Sequence, residues 1–71
     1  MKVKEKALKD MVEAMQEIDA MTRPVSTGQR NQMIVSKMQK KGWKMTAGTL
    51  HDTARSLGLT VVGTYIYGEN E

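Results

Sequence analysis

The stretch DTARSLGLTVVGTYIYG, Asp52 to Gly68, decides the fold. Up to Leu57 it is helical in character. Leu50, Ala54 and Leu57 stand at i, i+4 and i+7, a narrow apolar stripe, and Gly58 is a natural stop. Beyond Gly58 almost every side chain is β-branched or aromatic: Thr60, Val61, Val62, Thr64, Tyr65, Ile66 and Tyr67. Such side chains lose rotamer freedom in a helix. Seven of them at about 0.5 kcal/mol each, with Gly63 at about 1, put a helix roughly 4–5 kcal/mol behind polyalanine. A strand is favoured by the same residues, with Val61, Tyr65 and Tyr67 on one face and Val62, Thr64 and Ile66 on the other. A lone strand leaves its N–H and C=O groups unpaired. Its ladder would be Trp43 to Thr46 (WKMT), the same strand of a second subunit across a two-fold axis, or the sheet edge of a partner protein.

Upstream, Lys2 to Met21 contains no Gly or Pro and is rich in strong helix formers. Val3, Ala7, Leu8, Met11, Val12, Ala14, Met15, Ile18 and Met21 fall on one half of a helical wheel. Lys2, Glu5, Lys6, Lys9, Glu13 and Glu17 fall on the other half, with Glu5 and Lys9 in the favourable acid-first i,i+4 order. Pro24 has no N–H and pushes Arg23 away from helical geometry, so this helix stops around Met21 to Arg23. Ser26 with Gln29 fits a capping box that opens a second helix. Gly42 after Lys40 and Lys41 closes it. On that helix Ile34, Val35 and Met38 share one face, and Arg30, Lys37, Lys40 and Lys41 an adjacent one. Thr49 to Asp52 resembles a cap for the third helix.

The expected fold is a mostly helical α+β domain. It has three helices, at about 3–21, 27–41 and 48–57, and a C-terminal strand at about 60–67. All of 1–71 forms a single domain: the N-terminal helix 1–21, a linker 22–26, and a basic helical module with the strand at 27–71.

The run TLHDTARSLGLTVVGTYI resembles the helix-turn-helix of small phage and bacterial DNA-binding proteins. Ala54 stands where the first helix takes a small residue, Leu57 supplies core, Gly58 the turn and Leu59 the apolar residue after it. The preceding RNQMIVSKMQKKGWKMT looks like the leading helix of a tri-helical domain, and the resemblance covers residues 28–67. It implies an all-α helix-turn-helix as the alternative fold, and DNA as the partner. One departure is plain: a recognition helix reads base edges with Arg, Lys, Asn or Gln, and residues 60–67 contain none.

Composition narrows the classes of function. The 71 residues include no cysteine, so neither a disulfide nor a thiolate metal site is expected. No apolar run approaches the roughly 20 residues of a membrane span, and the basic start lacks the apolar core of a signal peptide, which points to a cytoplasmic protein. His51 is the single histidine, and its neighbour Asp52 points elsewhere on a helix, so it reads as a surface residue. No phosphate-binding loop, dinucleotide fingerprint or catalytic triad pattern is present. The expectation is a non-enzyme without metal or cofactor. The methionines, seven in a chain without Phe, read as core filler, and Trp43 as the cap of a small core.

The formal charge is +3, unevenly distributed: residues 22–55 hold seven basic residues and one acid, Asp52. This suggests an anionic partner. The first functional expectation is therefore a dimeric nucleic-acid-binding regulator. Arg30, Lys37, Lys40, Lys41 and Lys44 would contact phosphates, with Arg55 flanking. The second is a phage-type modulator that docks on a host or partner protein. Its interface, or a dimer interface, would use Leu8, Met11, Met15 and Ile18 of the first helix, or Val62 and Tyr65 of the strand.

Overall fold

In the computed structural model, which describes residues 3–21 and 24–67, the chain forms three helices and a short two-stranded antiparallel sheet. Helix α1 spans Val3–Asp19. Its apolar half buries Ala7, Met11, Ala14, Met15 and Ile18, the three- and four-residue spacing of an amphipathic helix. It ends before the expected Met21, because the last turn tightens: the Met21 N–H donates to the Ile18 carbonyl at 3.1 Å. Arg23, expected to be extended ahead of Pro24, lies outside the described residues.

Helix α2 spans Thr27–Lys40 and opens on the expected capping box. The Gln29 N–H donates to Ser26 Oγ, and the Ser26 N–H to Gln29 Oε1, each at 3.2 Å. At its other end the Trp43 N–H reaches back to the Met38 carbonyl and the Gly42 N–H to that of Gln39, both at 3.0 Å. This is the paired bonding of a Schellman stop. Helix α3, Leu50–Ser56, is shorter than expected. Thr49 makes no side-chain cap to it, because the Thr49 hydroxyl is engaged with Thr46, accepting its N–H at 3.2 Å. A second Schellman stop follows: Leu59 N–H to Ala54 carbonyl and Gly58 N–H to Arg55 carbonyl, each at 3.0 Å. Gly58 takes φ of 90° there, a left-handed conformation that costs glycine nothing.

The C-terminal stretch is extended, and it is a hairpin rather than one strand. β1, Val61–Val62, pairs antiparallel with β2, Tyr65–Ile66, in the register Val61 to Ile66 and Val62 to Tyr65. Gly63, at φ of 60°, takes the first turn position, as a two-residue type II′ turn requires. The ladder is thus closed within residues 60–67, and Trp43 to Thr46 is not a strand. The turn also changes the faces. Val61 sits beside Ile66, toward the core, while Val62, Tyr65 and Tyr67 share the outer side.

α1 and α2 run antiparallel, as their cross-contacts show: Glu17 meets Lys37, Glu13 meets Lys41 and Asp10 meets Trp43. Met11, Met15, Ile18, Ile34, Met38, Leu50 and Ile66 fill the space between the elements with essentially no exposure. This corrects the interface reading of α1. Met11, Met15 and Ile18 are the core of the single chain, and Leu8 packs at its margin, so that face is already covered by α2. Trp43 closes the core as expected, with its indole N–H on Asp10 at 2.8 Å.

Candidate interaction surfaces

The six side chains expected to hold phosphate do not form one face. Arg30 is 4% exposed. Its Nε and Nη2 donate to the two oxygens of Asp19 at 2.8 and 3.0 Å, and Nη1 donates to the Ile66 carbonyl at 2.7 Å. The guanidinium carbon lies 4.4 Å from the centroid of the Tyr65 ring. Each of the three guanidinium nitrogens donates a hydrogen bond and the side chain is buried, so Arg30 is a joint between α1, α2 and β2 and is removed from the phosphate-binding set. Lys37 pairs with Glu17 at 2.9 Å and Lys41 with Glu13 at 3.8 Å. Arg55, on α3, faces Asp52 at 3.5 Å. Lys40 and Lys44 are exposed and make no salt bridge to a described residue.

The uneven charge seen in the sequence is therefore matched internally: acids on α1 face bases on α2. Two carboxylates of α1 lie below their ordinary range. The Trp43 N–H and then Lys6 hold Asp10 there, and Lys37 holds Glu17 there.

A different surface gathers around Tyr65. Val62, 60% exposed, stands opposite it in the ladder. Tyr67, 47% exposed, packs edge-on to the Tyr65 ring with centroids 4.8 Å apart. Met21, Pro24 and Val25 line one shallow hollow with Tyr65, Ile18 and the Arg30–Asp19 pair. Val25 and Pro24 continue into a second hollow along α2 with Gln29, Gln32, Met33 and Ser36. Of the interface candidates named from the sequence, Val62, Tyr65 and Ile18 lie here; Tyr67 and Met21 belong to the same expected strand and helix without being singled out, and Pro24 and Val25 belong to neither. The signal for Tyr67 was its two-residue spacing from Tyr65. The linker residues carried none, because their position depends on how α1 turns into α2.

The hairpin is held to the helices by polar side chains on its carbonyls. Asn31 Nδ2 and His51 Nε2 both donate to the Thr64 carbonyl, at 3.0 and 2.9 Å. His51 thus pins the turn and, among the described residues, joins no carboxylate. Among the described residues, no group of three His, Asp or Glu side chains is placed to hold a metal ion, and no helix is long and apolar enough to cross a membrane. Comparison of the chain with protein-family models, with curated proteins and with solved structures finds no match.

Proposed function

We propose that the chain is a small, non-enzymatic modulator of the phage type. It docks on a partner protein through the outer face of its hairpin and blocks or retargets that partner. The observation that carries this reading is the clustering of exposed apolar side chains. Single exposed hydrophobics are ordinary, whereas contiguous ones mark interaction sites. Here Met21, Val62 and Tyr67, three of the four exposed large hydrophobics among the described residues, surround the half-buried Tyr65. Aromatic side chains are typical centres of protein interfaces, and the Arg30 guanidinium backs the Tyr65 ring at 4.4 Å.

The test compares capture from cell lysate by the tagged protein and by two surface variants. A partner held by the wild type and by Lys40→Glu/Lys44→Glu, but released by Tyr67→Ala, is the expected result. Equal capture by Tyr67→Ala removes the hairpin face from the interface.

A second reading keeps nucleic acid as the partner, and the exposed Lys40 and Lys44 at the end of α2 favour it. Their contacts would be to phosphates and carry little sequence information. A gel shift over a salt series decides it. Binding through these lysines falls steeply with salt, with a log–log slope of about −0.9 per neutralised phosphate on duplex DNA, and is lost in Lys40→Glu/Lys44→Glu. No shift at low salt excludes this reading.

A further inference from the structure

We propose that the open edge of β1 pairs with the same edge of a second copy of this chain, joining two hairpins into one four-stranded antiparallel sheet about a two-fold axis. The bonding pattern of the hairpin leads there. In an antiparallel ladder, bonded pairs alternate with pairs whose N–H and C=O groups point outward. The Tyr67 N–H donates to the Thr60 carbonyl at 2.9 Å, so Thr60 and Tyr67 are a bonded pair. With the register Val61 to Ile66 and Val62 to Tyr65, the outward-pointing pair is Val61 with Ile66.

The two edges then differ. On the β2 side the Ile66 carbonyl is taken by Arg30, and the Thr64 carbonyl by Asn31 and His51. On the β1 side no described residue bonds the Val61 N–H or carbonyl. Natural edge strands that stay unpaired are guarded by lysine, proline or a bulge. From Ser56 to Tyr67 the chain has no charged residue and no proline.

Two features select a second copy as the occupant. The first is charge. A molecule of net charge +3 repels its copy across surfaces that carry lysine, and the uncharged edge is where two copies meet without opposed cations. The second is reciprocity. Val61 offers one donor and one acceptor, and two copies related by a two-fold through this residue close a two-bond ring. That pairing sets Thr60 against Val62 twice, a β-branched cross-strand pair. A sheet of two-residue strands is also too small to be stable by itself, and doubling it relieves that weakness. The seam's hydrogen bonds run along the strand edge and it shares only Val62 with the Tyr65 face; its test uses the chain alone, so its outcome is distinct from that of the docking reading.

The experiment is sedimentation of the full chain from about 10 µM to about 1 mM, a range that spans weak self-association. Two variants are run beside it: Val61→Pro, which removes the outward N–H together with the valine side chain that packs against the core, and Thr60→Lys, which places like charges across the seam and leaves the core untouched. Circular dichroism checks the helices of each. The expected result is a concentration-dependent dimer whose dissociation constant rises at least about tenfold in both variants, with helical content unchanged. Isotope-filtered NMR of the wild type should show a Thr60 Hα to Val62 Hα contact between copies. If Val61→Pro does not fold, Thr60→Lys and the NMR contact decide. A wild type that stays monomeric throughout, or a dimer indifferent to Thr60→Lys and lacking that contact, overturns the proposal.

Discussion

The guanidinium of Arg30 touches Asp19 on α1, the Ile66 carbonyl on β2 and the Tyr65 ring at once. Removing it leaves a buried carbonyl unpaired, which costs about 1–3 kcal/mol, and leaves a void under Tyr65. Asp19 is half exposed and rehydrates, so its loss of partner adds little. Arg30→Ala is therefore expected to destabilise the chain by about 2–4 kcal/mol, read from the urea midpoint. Arg30→Lys should recover less than half of that, since an ammonium cannot fork to Asp19 and reach Ile66 together. Full recovery by lysine would show that charge, not shape, is what the site needs. Asp10 supplies a pH test. Bonds from Trp43 and Lys6 lower its folded value below the unfolded one. Its contribution is thus complete above the ordinary carboxylate range and is lost as pH falls through about 4 and below. Thermal melts from about pH 6 to about pH 3 should show a decline that is shallower in Asp10→Asn. An identical decline in the variant would place the acid sensitivity elsewhere, Glu17 being next since Lys37 lowers it too.

Among the elements, the two Schellman stops do the same work at Gly42 and Gly58, and the second sets where the hairpin begins. A Cβ at Gly58 strains its left-handed backbone by roughly 1–2 kcal/mol. Gly58→Ala should lower stability by that amount while leaving α1 and α2 shifts unchanged in NMR spectra. No loss would mean that Gly58 is not held left-handed in solution. The helices were legible in the sequence because each local signal agreed with its neighbours: apolar periodicity in Val3–Asp19, the Ser26–Gln29 box, and glycine after the second and third helices. The extended nature of 60–67 was legible from its β-branched residues. Its reversal was not, because Gly63-Thr64 is a weak turn signal beside Asn-Gly or Asp-Gly, and a continuous β-branched run hides it. Thr49 shows a similar limit. A threonine ahead of a helix is a cap only if no nearer group competes for its hydroxyl, and Thr46 does.

At the scale of the whole molecule, the charge asymmetry between the halves of the chain was legible, but its addressee was not. A linear charge count does not distinguish bases that face a partner from bases that face another helix. Here Lys37 and Lys41 meet Glu17 and Glu13 along the seam of two antiparallel helices, and Arg30 meets Asp19 near one end of it. These pairs are matched only in the register in which α1 lies on α2. Reversing two of these charges should therefore act on the fold before it acts on any partner. Lys37→Glu/Lys41→Glu sets four carboxylates along the seam and is expected to lower the melting temperature, most strongly at low salt, where like charges are least screened. Adding Glu13→Lys and Glu17→Lys restores the pairing with the signs exchanged and should bring the melting temperature back toward the wild-type value. Lys40→Glu/Lys44→Glu changes net charge by the same amount as the first pair but touches no described carboxylate, so its melting temperature should stay near wild type. If the Lys37/Lys41 and Lys40/Lys44 variants lose equal stability, net charge is responsible and the seam is not. If only the first pair is affected and the fourfold swap rescues it, the lysines of α2 divide by function: Lys37 and Lys41 align the helices, while Lys40 and Lys44 remain available to an external anion.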